Sequence, residues 1–132
     1  MSQSHKEIFE RYVYAGPIRH DPDAVAALFT EDGVFEAPLV PAGHALPRRL
    51  EGREAIRAGI AAYFRYAADQ GTADPAQSAF VLHDTGDPEV FIAEIDAVVS
   101  QPDGRAVPMS LVQIFRLRAG QIALLRDYFE AK

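Results

Sequence analysis

The chain has 132 residues, 48 % of them hydrophobic, and a net charge of −6. That length fits one domain over 1–132, large enough to bury roughly two thirds of its unfolded surface around a core and a pocket. The thirteen Lys and Arg are scattered, which argues against a nucleic-acid partner, and the absence of cysteine excludes disulfides, thiolate metal centres and Cys nucleophiles.

The opening MSQSHKEIFERY is polar and lacks a signal-peptide pattern. No later apolar run approaches the roughly 20 residues of a membrane span, and no basic amphipathic helix is present to lie on a bilayer. The expectation is a soluble, cytoplasmic protein. Ser4-His5-Lys6-Glu7 reads as a capping box. It opens a first helix with Ile8, Phe9, Tyr12 and Val13 on one stripe, ending near Gly16-Pro17. Asp21-Pro22 starts a second helix, with Asp21 as cap and Pro22 in the first turn. Its apolar positions Val25, Leu28 and Phe29 carry it to Phe29, and Glu31-Asp32-Gly33 reads as a turn. Val34 to Ala37 is a short strand stopped by Pro38, and residues 38–52, with three prolines, form a lid or binding loop. A third helix runs from Arg53 to about Ala68, with Ile56, Ile60, Tyr63 and Phe64 around its apolar side.

Extended stretches at about 78–84, 89–100 and 106–118 follow, separated by turn sequences such as Gln101-Pro102-Asp103-Gly104. A last strand runs from Gln121 to Glu130. Helices first and a meander of strands later define an α+β domain, with helices packed on one face of a curved antiparallel sheet.

That last strand carries the most informative side chain. By alternation, Ala123, Leu125, Asp127 and Phe129 share one face. An acid among apolar neighbours is either paired or shifted in its ionisation by burial. If the face lines a cavity, Asp127 is a candidate acid/base catalyst; otherwise it pairs with an Arg or caps a backbone group. Glu94 and Asp96 lie on one face of the 89–100 strand, and the opposite face, from Phe91 to Val99, is wholly apolar. The apolar face is expected against the helices and the carboxylates outside. Tyr12 and Tyr14 point about 200° apart on a helix, so one of them at most faces a pocket. His44, in the Pro-rich loop, is a candidate at the pocket mouth, and His83 is a candidate partner of Asp127 or of a ligand. No His pair has metal-ligand spacing, and neither a phosphate loop nor a nucleophile elbow is present. Neither a metal nor a cofactor is expected. Thirteen Phe and Tyr residues supply walls for an apolar cavity and its core, suited to a flat, largely apolar ligand.

The order of elements and three strings resemble the nuclear transport factor 2-like superfamily, in its SnoaL-like branch. The strings are Ala27-Leu28-Phe29-Thr30-Glu31-Asp32-Gly33-Val34-Phe35, Leu50-Glu51-Gly52-Arg53-Glu54-Ala55-Ile56, and Phe115 to Ile122 leading into Arg126-Asp127-Tyr128-Phe129. The resemblance implies a cystatin-like cone, with three N-terminal helices on a curved mixed or antiparallel sheet enclosing a pocket, and it implies a homodimer. In the SnoaL-like cyclases the acid stands on the last strand, where Asp127 matches it. The ketosteroid isomerases of the superfamily place their base just before the Pro that ends the first strand, where this chain has Ala37. Their oxyanion hole corresponds to Tyr12 or Tyr14 and, near its second member, Gln113. Limonene-type epoxide hydrolases have an Arg and an Asp two apart on a middle strand, where Glu94-Ile95-Asp96 offers Glu for the Arg. The reading is therefore a cofactor-independent lyase or isomerase of secondary metabolism. Asp127, Tyr12 and His83 would be catalytic, and Gln113, Tyr14, His44, Leu125, Phe129, Phe35 and Phe64 would bind a small carbonyl-containing substrate. The alternatives are an epoxide hydrolase and a non-catalytic small-molecule binder.

Overall fold

The computed structural model describes residues 4–130. Three helices pack on one seven-stranded, curled mixed sheet. In chain order the elements are α1 (His5–Val13), a π-helical turn (Tyr14–Ile18), α2 (Pro22–Ala27), β1 (Phe29–Glu36), β2 (Arg49–Glu51), α3 (Arg53–Ala67), β3 (Thr72–Ala73), β4 (Ala79–Asp84), β5 (Val90–Ser100), β6 (Ala106–Arg118) and β7 (Gln121–Tyr128).

Both predicted N-caps form. Ser4 Oγ accepts from the Glu7 amide at 3.1 Å, and Glu7 reaches back to the Ser4 amide at 3.4 Å. Asp21 Oδ1 accepts from the Ala24 amide at 3.1 Å. A reciprocal box of this kind contributes about 1 kcal/mol. Ser4→Ala should lower the thermal midpoint by about 3–5 °C, read by calorimetry; an unchanged midpoint would show that α1 is held by its buried face alone. That face is Ile8, Phe9 and Tyr12, all buried. His5 pins the start of the helix to the β4–β5 turn, with its ring nitrogens 2.9 Å from Asp84 Oδ1 and 2.8 Å from Pro88 O.

The strand order is β2-β1-β7-β6-β5-β3, and β4 also pairs with β5. Every pairing is antiparallel except β1 with β7, which is parallel. That pairing makes the sheet mixed and brings the first and last strands together. The predicted boundaries fail at β1. Phe29 does not end α2 but begins the strand, and β1 continues through Glu31-Asp32-Gly33 where a turn was expected. The disturbance predicted there survives as a slip in register against β7 between Phe29 and Val34. Gly33 suits this slip, because a Cβ would lie 3.0 Å from Thr30 O and 3.1 Å from Phe29 Cβ, tighter than most side-chain contacts. The short strands β2 and β3 were not predicted. Residues 37–48 form a packed loop: Val40 and Leu46 are buried, and Arg48 Nε donates to Val40 O at 2.6 Å.

The core lies between the helices and the concave face of the sheet. Phe9, Phe29, Phe35, Phe91, Phe115, Leu46, Ile56, Ile122 and Leu125 are its largest sealed side chains. Phe91 and Phe115 stack across β5 and β6, with centroids 4.6 Å apart and planes 4° from parallel. One detail of β7 differs from simple alternation. Arg116 pairs with Leu124, but Leu117 pairs with Ile122. Ala123 is thus the extra residue of a β-bulge, and Ile122, not Ala123, joins Leu125 on the inner face. From Leu125 onward the predicted alternation holds, and Leu125, Asp127 and Phe129 all point inward and are buried.

Candidate functional site

Two cross-strand pairings place the polar centre of the cone. Gln113 on β6 lies opposite Asp127 on β7 and opposite Ala93 on β5. All three are therefore on the concave face. Among the described residues, the buried polar or charged side chains are Thr30, Gln113 and Asp127. Thr30 is explained locally, since its hydroxyl donates to Asp32 Oδ1 at 3.0 Å. The other two are not: Asp127 Oδ1 and Gln113 Oε1 are sealed from solvent without a hydrogen-bond partner. A buried, unsatisfied polar atom is unfavourable, and native proteins keep few of them.

Burial in this apolar wall pushes the Asp127 carboxyl up to about 7, partly offset by hydrogen bonding from the Gln113 side chain. The Asp127 charge also reaches the phenols of Tyr12 and Tyr63. Burial raises the pKa of both, and the nearby Asp127 charge raises each further. Both phenols therefore stay protonated and remain hydrogen-bond donors. Tyr12 is fixed edge-on against Phe115, 5.7 Å between centroids. Tyr63 sits one turn beyond the buried Ile60 of α3 and leads outward to Tyr66 and His44, with ring centroids at 6.5 and 6.1 Å.

The predicted site residues divide accordingly. Asp127, Tyr12, Gln113, Leu125, Phe129 and Phe35 share the core of the cone. Phe64 is half-buried and stacks on His20 at 4.9 Å. His44 is half-buried in the loop, where its Nδ1 accepts from the Leu46 amide at 3.0 Å. Tyr14 is exposed, under the Arg19 guanidinium at 5.5 Å. His83 does not reach Asp127. It pairs with Ile92 in the sheet, on the convex side, and its Nε2 lies 2.5 Å from Glu94 Oε1. The reason is register: His83, Ile92 and Glu94 share the face opposite Ala93 and Gln113. Glu94 and Asp96 are exposed on that outer face, as their apolar neighbours predicted. Tyr63 was seen in the sequence only as part of an apolar stripe. Its i, i+4, i+7 spacing with Ile56 and Ile60 marked it as inward, and nothing in the sequence marked its hydroxyl as a neighbour of Asp127.

Two surface clefts lie elsewhere. One of about 310 Å³ is lined by Asp23, Arg53, Arg57 and Gln121 among others. The other, about 200 Å³, is on the convex face around Glu94, Asp96, Ser110 and Tyr128. Among the described residues, no cluster of three or more His, Asp or Glu side chains is placed to hold a metal ion, and no helix is long and apolar enough to cross a membrane.

A model of the SnoaL-like domain matches residues 9–125. The chain belongs to the SnoaL-like family. No curated protein sequence matches this SnoaL-like domain significantly. Its fold recurs in solved structures. A Bacillus subtilis protein with a provisional isomerase name is 25 % identical, with a TM-score of 0.75, covering 94 % of this chain and 84 % of its own. A Catenulispora acidiphila protein with a ketosteroid isomerase-like fold is 19 % identical, with a TM-score of 0.68 and coverages of 96 % and 86 %. A Xanthomonas campestris protein provisionally named a polyketide cyclase is 20 % identical, with a TM-score of 0.67 and coverages of 93 % and 87 %. The SnoaL-like domain is thus an α+β cone of the nuclear transport factor 2-like type.

Proposed function

We propose that this SnoaL-like domain is a cofactor-independent acid/base enzyme. It would cyclise, isomerise or dehydrate a small, largely apolar carbonyl compound. The observation that carries this reading is Asp127, a sealed carboxyl with an unpartnered oxygen, shifted to about 7 and flanked by two protonated phenols. A group of that pKa is divided between its two forms at neutral pH, which suits both removal and return of a proton. In the proposed step the Asp127 carboxylate takes a proton from the carbon next to the carbonyl. Tyr12 or Tyr63 donates a hydrogen bond to the oxygen as charge builds on it, and the Asp127 carboxyl then returns the proton at the product position. Gln113, directly opposite Asp127 across the sheet, would position the carboxyl. Ala37, fully buried just past β1, supplies no competing acid, and Glu36 before it is bonded to Arg49.

In this reading Tyr63→Phe lowers kcat by roughly 10- to 1000-fold with little change in KM, the pattern of a donor used mainly in the transition state. A change in KM alone would make Tyr63 a wall residue.

The two clefts support a second reading, non-catalytic binding, because neither is lined by Asp127 and the wall around the carboxyl is aromatic. Solvent-exchange of substrate α-protons, followed by NMR, separates the two: a catalyst speeds exchange and a binder does not.

We also propose that the domain pairs with a second copy through the convex face. There Val81, Glu94, Val112 and Tyr128 form one row across four strands, with Val81 and Val112 exposed. Val112→Lys should convert a dimer to a monomer in light scattering; a wild-type protein already monomeric at micromolar concentration removes this part of the proposal.

A further inference from the structure

His5 presents both ring nitrogens to oxygens that accept. Nδ1 lies 2.9 Å from Asp84 Oδ1 at the end of β4, and Nε2 lies 2.8 Å from the Pro88 carbonyl in the β4–β5 turn. A neutral imidazole has one N–H and one lone pair in either tautomer, and only the imidazolium has two N–H groups. With a neutral ring, one lone pair would face an acceptor at hydrogen-bond distance. The surroundings also suit a charge. The ring stacks on Phe91, 4.7 Å between centroids and 18° from parallel, and a cation over an aromatic face is attracted to it. One effect opposes it: His5 is the first residue of α1, where the helix dipole disfavours a cation. The two acceptors and Phe91 must outweigh that. Other acids close in sequence are engaged elsewhere, Glu7 with Ser4 and Asp87 with the Glu89 amide. Among the described residues, Asp84 is the one ion-pair partner of His5.

We propose that His5 is a proton-operated clasp. As the imidazolium it closes the start of α1 onto both β4 and the β4–β5 turn, and on losing a proton it gives up one of the two contacts. Histidine is the side chain that ordinarily changes charge between about pH 5 and 8, so the clasp is closed on the acid side and opens as pH rises. The contact given up is the one to Asp84, because that side chain is mostly exposed and turns readily into water, whereas the Pro88 carbonyl is part of the turn backbone. β4 is paired along one edge alone, to β5. Opening therefore leaves this strand tied to α1 by the apolar contact of Phe80 with Phe9. The helix so loosened is the one that carries Tyr12.

The test is backbone hydrogen exchange followed by NMR from pH 5.5 to pH 8.5 and corrected for intrinsic exchange, with the imidazole nitrogens observed in the same samples. At pH 5.5 both ring nitrogens of His5 should carry protons. Across the range, protection of the Ile8 and Val90 amides, which close the first turn of α1 and the β4–β5 turn, should fall roughly 3- to 30-fold, the loss of one charge-assisted hydrogen bond discounted for the exposure of Asp84. His5→Gln, uncharged throughout, should lose this pH dependence. So should Asp84→Asn, whose amide accepts from the charged ring or donates to the neutral one; it is an exposed change and serves if the first variant folds poorly. The titration of Asp127 is common to all three proteins and cancels in the comparison. A single protonated ring nitrogen at pH 5.5 overturns the proposal. So does constant protection in the wild type, or an undiminished pH effect in the variants.

Discussion

Asp127→Asn is expected to lose most turnover and, at pH 8, to make the protein more stable. The first effect follows from removing the proton-transfer group, a loss of about 10²- to 10⁴-fold in kcat. The second follows from the direction of the shift. The folded carboxyl is raised from 3.8 to about 7 by burial. Between these values the folded state holds a proton that the unfolded state has released. Stability therefore falls as pH rises through that window and levels off above about 7. Below about pH 4 both states are protonated and the carboxyl costs nothing. Three pH units correspond to about 4 kcal/mol of destabilisation above neutrality. Asn resembles the protonated acid and can keep a hydrogen bond to Gln113, so it removes that cost. The variant should melt on the order of 10 °C above wild type at pH 8 and near wild type at pH 4. The difference between the two pH values is the diagnostic. A variant equally displaced at both pH values, or less stable at pH 8, would show that the buried carboxylate is not strained. In the wild type, kcat/KM should change through the same group, with a limb near pH 7 that is absent from the residual activity of the variant.

Phe115→Ala carries the largest expected loss of stability, about 3–5 kcal/mol. Phe115 is fully buried and meets three rings on two other elements, β5 and α1. It stacks on Phe91 and meets Phe9 and Tyr12 edge-on, at 6.0 and 5.7 Å. Its loss leaves a cavity between sheet and helix that rigid β5 and β6 backbones cannot close. Against a typical total of about 5–15 kcal/mol, this brings the domain near unfolding. Urea titration measures it, and a cost below about 1 kcal/mol would mean that the neighbouring rings collapse into the space. Tyr12 also loses its backing, so any folded fraction should show a raised KM or a lowered kcat.

Much of this was legible in the sequence because it rests on local physics. Ser4 and Asp21 are caps whose chemistry is confined to one turn, and the apolar and acidic sides of β5 separate by simple alternation. The same rule carried Asp127 to the concave face. What could not be read depends on neighbours distant in the chain. Phe29 fits the apolar stripe of α2, and only pairing with Ile122 of β7 draws it into β1. His83 sits on a strand with no clean alternation, so its face is set by its register against β5. Tyr63 is indistinguishable in sequence from a core tyrosine until β7 brings a carboxylate beneath it. That Gln113 lies directly opposite Asp127 depends on the register of β6 against β7 and not on either residue alone.

The bulge at Ala123 has a consequence for how this strand tolerates change. With Ala123 taken out, Ile122, Leu124 and Leu125 would follow in strict alternation, and Asp127 would still face inward. The extra residue is therefore not what decides which side chains are inside. It supplies bend and twist where β7 must serve β6 on one side and the parallel β1 on the other. A shortened strand would keep the same chemistry on a flatter wall, so the curvature of the chamber and the identity of its acid are inherited separately.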